Sequence, residues 1–350
     1  MINIALTKSM FYYSFFGKPA TITRDNMADN FLPPAWLRHA HTQTLLASIG
    51  PRRILARHRA KELLDKSKLA KIESGSNNET VQLLGAYCPS KDTANQQLTI
   101  FIHGWEGSIE SSYLLSAAAS MYEAGHSIFR LNLRDHGESH HLNEALFHSA
   151  RLDEVANAIR QIKSCYPHRK VNLVGFSLGG NFCIRLACHL EQGIIERAAV
   201  ISPLIDPART TDDLERGWRL YHFYFIRKWR RSLKKKLAIF PGHSCQALLL
   251  QRGSLSTMNT LFVAEHTPFE TREDYYLSYT IAFDQLKNLS CPVDVLVADD
   301  DPIVKTQWLD RLELPTHVKI KKVAYGGHCG FIKDHRFNCF ADEWLADKLV

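Results

Sequence analysis

The residues with the most chemistry to offer stand at Gly175-Phe176-Ser177-Leu178-Gly179. A serine with glycine two positions to either side suits a sharp turn, because larger side chains there would collide across the bend. The run Val171-Asn172-Leu173-Val174 before it reads as a strand, and the residues after it open a helix. On such a turn the Ser177 hydroxyl stands exposed as a nucleophile, and the Leu178 amide, at the helix N-terminus, can donate to an oxyanion. A serine hydroxyl is a weak nucleophile until a base takes its proton and an acid orients that base. Three further segments supply candidates. His103-Gly104-Trp105-Glu106-Gly107-Ser108 follows an apolar strand, and its Gly turn offers the Trp105 amide as a second oxyanion donor. His103 itself comes before the serine and reads as structural. Asp299-Asp300-Asp301 follows the apolar run 292–297; Asp301 is the favoured acid and Asp300 the alternative. Gly326-Gly327-His328-Cys329-Gly330 follows another strand, and its glycines let a loop carry the His328 imidazole over the serine. Cys329 has no evident base of its own and reads as an inert thiol. The order Ser177, Asp301, His328 at successive strand ends is that of a Ser-Asp-His triad on an α/β sheet.

These positions need elements to hold them. From about residue 80, short β-rich runs alternate with helical patterns, which predicts a mainly parallel α/β sheet. The expected strands are Thr80–Tyr87, Leu98–His103, Ser127–Asn132, Val171–Phe176, Ala198–Ser202, Pro292–Ala298 and Val318–Ala324. Ser111–Ala124, Ala150–Cys165 and Leu178–Leu190 have the i, i+3, i+4 apolar spacing of amphipathic helices. Two stretches break the rhythm. Residues 31–79 precede the expected sheet and hold the dense cluster His39, His41, Thr42, Gln43, Thr44. Residues 207–290 read as mostly helical, placed where a lid would cover the C-terminal ends of the strands. The expected organisation is an N-terminal arm over 1–30 and one domain over 31–350 with that helical insertion.

The bulk numbers bound the possibilities. With 350 residues, 45% hydrophobic and 23% charged, the chain can bury a large core and shows no compositional sign of pervasive disorder. No apolar run is long enough to suggest a membrane span. The eight cysteines form no C-x-x-C pair, so buried free thiols and a reducing, cytoplasmic setting are expected. The seventeen histidines show neither H-E-x-x-H nor Cys/His finger spacing, and no metal site is expected. The aromatic run Phe11–Phe16 lacks a convincing signal-peptide core; a secretory or membrane-tethering segment, a start at Met27 and a floppy arm all stay open. The net charge of +7 is concentrated in Arg219 to Lys236, which holds eight basic residues, no acidic one, and interleaved aromatics. That run reads either as a lid touching an anionic lipid surface or as a helix with a solvated basic face; no nucleic-acid motif accompanies it.

Taken together these segments resemble the YheT-like branch of the α/β hydrolases, which includes ABHD-type lipid hydrolases and medium-chain ester synthases. The likeness runs from about Phe31 to about Phe337, through His41-Thr42-Gln43-Thr44, His103–Ser108 with Ser112 and Tyr113, Arg130–Arg134, Gly175–Asn181, Asp274-Tyr275-Tyr276, the Asp-Asp-Pro turn and Gly327-His328-x-Gly330-Phe331. The resemblance implies a triad on Ser177, Asp301 and His328, a small-molecule acyl ester as substrate, and no metal or organic cofactor. One segment departs from the branch: after Arg134 a Gly-Cys-Gly-Gly-Ser-like turn is usual, and here Asp135-His136-Gly137-Glu138-Ser139 stands instead. The expected reaction is hydrolysis of short- to medium-chain or lipid-derived esters, or of thioesters, through an acyl-enzyme. The alternatives are transfer of the acyl group to an alcohol and a non-catalytic lipid- or partner-binding scaffold.

Overall fold

The computed structural model describes residues 31–75, 80–92, 94–251, 253–311 and 314–350. The expectations for the arm over 1–30 and for Met27 lie outside the described residues. Eight strands build the sheet: β1 (Lys68–Glu73), β2 (Gln82–Cys88), β3 (Gln97–Ile102), β4 (Ser127–Leu131), β5 (Lys170–Phe176), β6 (Arg197–Ile201), β7 (Val293–Ala298) and β8 (Val318–Val323). Their order is β1-β2-β4-β3-β5-β6-β7-β8. The pairs β1/β2 and β2/β4 are antiparallel and all others parallel.

Seven strands stand where the apolar runs place them, within a few residues. β1 is a correction, since residues 31–79 were expected to precede the sheet. It lies at the edge with only Ile72 buried, so it has no apolar run to betray it. The inner strands are covered on both faces, and successive side chains divide between two cores. Leu98, Ile100 and Ile102 of β3, with Val171 and Leu173 of β5 and Val293, Val295 and Val297 of β7, join one core. Phe101, Val174, Phe176, Leu296 and Ala298 join the other.

Three short helices, α1 (Ala40–Leu46), α2 (Pro51–Arg59) and α3 (Lys61–Lys66), come before β1. The first core takes α5 (Leu152–Cys165) and α6 (Leu178–His189); the second takes α4 (Ser112–Glu123) and α13 (Phe340–Leu349). Between β6 and β7 stand α7 (Pro207–Arg216), α8 (Arg219–Ile239), α9 (Gln246–Leu250), α10 (Leu255–His266), α11 (Arg272–Leu277) and α12 (Phe283–Leu286). Tyr221, Trp229, Leu233, Phe262 and Tyr275 of this insertion are buried in the same core as α5 and α6. No helix among the described residues is long and apolar enough to cross a membrane.

Candidate active site

Ser177 occupies the single-residue bend between β5 and α6, with φ 52° and ψ −116°. A residue other than glycine holds so strained a backbone only when its surroundings fix it. Its N–H donates to Ile201 O at 3.0 Å, and its carbonyl accepts from the amides of Asn181 and Leu204. The glycines at both sides are sterically required: a Cβ at Gly175 would lie 2.4 Å from Gly179 O, and one at Gly179 would lie 2.2 Å from Ile102 O. Asn181, one turn into α6, donates to Leu204 O and Tyr279 O at 2.8 and 2.7 Å, tying this helix to the insertion.

The three consecutive aspartates have separate partners. Asp301 Oδ2 lies 2.8 Å from His328 Nδ1, while its Oδ1 accepts from the amides of Ile303 and Val304 at 2.8 and 2.9 Å. Asp300 Oδ1 instead accepts from Gly327 N–H at 2.8 Å, within the loop that carries the histidine. Asp299 Oδ1 pairs with Lys322 at 2.9 Å and accepts from the Thr306 hydroxyl. The structure thus brings Asp301 to His328, and Asp300 to its loop. Burial alone would depress the His328 imidazolium, but the adjoining Asp301 carboxylate outweighs it and holds that histidine well above its ordinary value.

What fixes the His328 loop is α1. Thr44 Oγ1 accepts from His328 N–H at 2.9 Å and donates to Ala40 O at 2.8 Å. The buried Gln43 amide donates to Leu37 O and Ile332 O at 2.8 and 2.9 Å, and its oxygen accepts from Ile332 N–H at 2.8 Å. The approach is close enough that a Cβ on Gly327 would sit 2.6 Å from Ala40 O, and one on Gly330 would sit 2.6 Å from Gln43 O. Arg52 of α2 adds a 2.9 Å bond to Gly330 O. The sequence singles out the His-Thr-Gln-Thr cluster without revealing this bracing role.

Ser177, Leu178, His328, Gly104 and Trp105 line one cavity of about 860 Å³. Leu178 opens α6, whose first-turn amides have no acceptor within the helix. Trp105 stands in the turn closed by Gly107 N–H on Gly104 O, and Tyr113 Oη accepts from Gly104 N–H at 3.0 Å. Helix α8 roofs this cavity: Phe225 stacks on Trp105 at 5.3 Å, Trp229 meets the same ring edge-on, and Lys228 Nζ donates to Glu106 O at 3.0 Å. His103 is fully buried and does not line this cavity. Its Nδ1 donates to Gly104 O and its Nε2 accepts from Leu133 N–H, and burial holds it well below its ordinary value. Burial likewise lowers His136 to about 4, so both rings are neutral.

The departing segment forms part of the cavity wall through Asp135, His136 and Glu138. Asp135 Oδ1 pairs with Lys236 of α8 at 2.6 Å, and both side chains are buried. Lys236 Nζ also donates to His140 O and Asn143 O, at 3.1 and 2.5 Å. The loop after β4 is thereby fastened to the roof. The cysteines are free, and Cys329, although buried, contributes to the cavity lining. Among the described residues no cluster of His, Cys, Asp and Glu is arranged to hold a metal ion.

A family model described as alpha/beta hydrolase fold matches residues 99–334. The chain is 25% identical over 313 residues to YheT of Escherichia coli (strain K12), covering 86% of this chain and 87% of that protein. To Phospholipase ABHD3 of Mus musculus it is 21% identical over 314 residues, covering 88% and 74%. Among solved structures, the esterase Pf2001 of Pyrococcus furiosus aligns with a TM-score of 0.54 at 15% identity, over 83% of this chain and 90% of that one, a likeness of fold.

Proposed function

The chain belongs to the α/β-hydrolase fold family, and from that premise we propose that it is a serine hydrolase acting on carboxylic esters through an acyl-enzyme on Ser177. The observation that carries this reading is the buried Asp301–His328 pair facing the same cavity as the strained Ser177 turn. Relatives whose names carry phospholipase and monoacylglycerol lipase support ester hydrolysis in general.

In the proposed reaction His328 Nε2 takes the Ser177 proton as Oγ adds to the carbonyl carbon. The Leu178 and Trp105 amides receive the oxyanion, and Asp301 stabilises the imidazolium. His328 then protonates the leaving alcohol or thiol as the C–O or C–S bond breaks. Water, deprotonated by the same ring, releases the acid and restores Ser177. The cavity falls within the size range of small-molecule sites and suits a short- to medium-chain acyl group with a polar leaving group.

The test is labelling with a fluorophosphonate, read by intact mass. One adduct on the wild type and none on Ser177→Ala is the expected result. An unlabelled, folded wild type would overturn the reading in favour of a binding scaffold. A panel of esters and thioesters with added primary alcohol then separates hydrolysis, which yields free acid, from transfer, which yields a new ester.

A further inference from the structure

The eight cations of Arg219 to Lys236 divide into two sets once α8 is in place. Four face inward: Lys228 reaches Glu106 O, Arg230 reaches Gln251 O, Lys235 reaches Gly137 O and Glu138, and Lys236 is buried on Asp135. The other four, Arg219, Arg227, Arg231 and Lys234, form no ion pair or side-chain hydrogen bond among the described residues. They recur at helical spacing along one exposed face of a helix about 30 Å long. At its N-terminal end that face is apolar, with Trp218 46%, Leu220 43% and Phe223 56% exposed. Arg219 lies over the Phe223 ring at 5.6 Å.

This face borders the cavity mouth. Of the residues lining the cavity, Ile49, Arg53, Leu220 and Arg231 are also exposed, and so mark its opening. Ile49 and Arg53 belong to the corner between α1 and α2. His41 of α1 holds that corner against the start of α8, through a 2.8 Å bond to Tyr221 Oη and a ring contact with Trp218. The exposed carboxylates of the lining are already matched: Glu110 pairs with Arg57, and Glu138 with Lys235. Unmatched cations beside exposed aromatic and aliphatic side chains are the pairing that an anionic lipid–water interface accepts, charge to headgroup and ring to the acyl boundary.

We propose that the chain docks on anionic lipid surfaces through the outward face of α8 and the α1–α2 corner, bringing the cavity mouth against the bilayer. Docking needs no catalysis. Only its use, taking amphiphilic esters directly from the membrane, rests on the hydrolase reading above.

The test is co-sedimentation of the full chain with vesicles of phosphatidylcholine alone or with about one third phosphatidylglycerol. Vesicle-free turnover of a water-soluble short-chain ester is followed in parallel. The wild type should sediment with the anionic vesicles only, and less so as salt is raised. The combined Arg219→Glu, Arg227→Glu and Lys234→Glu variant alters none of the cavity lining. It should partition at least about tenfold more weakly while turning over the soluble ester as the wild type does. Phe223→Ser should weaken binding at every salt concentration. A wild type left in the supernatant, or a triple variant that sediments equally, would overturn the proposal. So would equal binding to a DNA oligonucleotide unaffected by Phe223→Ser, since the face would then be a general polyanion surface. Vesicle binding by Ser177→Ala separates the two readings, because it survives a failed hydrolase assignment and is lost only with the docking face.

Discussion

At Asp301 the carboxylate divides its two oxygens, one held by backbone amides and one turned to His328, whereas Asp300 spends its near oxygen on Gly327. Asp301→Asn should therefore lower kcat by roughly 10³–10⁴-fold, as loss of the orienting acid does in such triads. Asp300→Asn should act more mildly and through the loop, and steady-state kinetics on the two variants checks the assignment. The pH profile carries a second test. As the proposed base, His328 would work only when neutral, and its imidazolium is held well above 6.5, so kcat/KM should rise with pH to a midpoint above that value. Removing the Asp301 charge removes the largest influence that raises the ring, so the residual activity of Asp301→Asn should titrate at lower pH. The residues proposed as a triad were singled out in the sequence because each stands beside glycines or at a strand end in a fixed order. The choice between Asp300 and Asp301 was less so, since neighbouring carboxylates differ only in where each side chain turns.

Among the elements, α1 places no residue in the proposed triad yet braces the loop that carries His328. Gln43→Ala would leave the Leu37 and Ile332 backbone groups unmatched in a buried place, at a cost of about 2–4 kcal/mol. It should lower the denaturation midpoint and reduce kcat more than it raises KM, because His328 loses its position while the cavity wall stays. Gly327→Ala should do the same from the other side: the new methyl meets Ala40 O, and the backbone sits at φ 54°. Nothing in the sequence pattern could disclose this pairing, since Thr44 and His328 are 284 positions apart and their contact runs through a backbone amide. The helices flanking the sheet were legible for the opposite reason. Their apolar spacing is local, and Leu152–Cys165 and Leu178–His189 follow it closely.

For the molecule as a whole, the insertion and the sheet are joined by a shared cluster of buried side chains. The apolar side chains of α8, α10 and α11 share a core with α5 and α6, and Lys236 and Asp135 are buried against each other in the cavity wall. Lys236→Met would strand the Asp135 charge and should cost about 3–5 kcal/mol, read by urea denaturation. Adding Asp135→Asn should recover part of that loss, because a neutral amide tolerates the site better than an unpaired carboxylate. The sheet also has two open margins. At β1 the single buried residue leaves Lys68 and Lys71 facing water, and at β8 Lys319 does the same. A second copy could extend the sheet only by taking water from these edge lysines, which disfavours strand-by-strand growth into fibres. Acetylating these amines should therefore make the protein more prone to form thioflavin-positive aggregates on mild heating, with the edges, rather than the Ser177 cavity, setting its shelf life at high concentration.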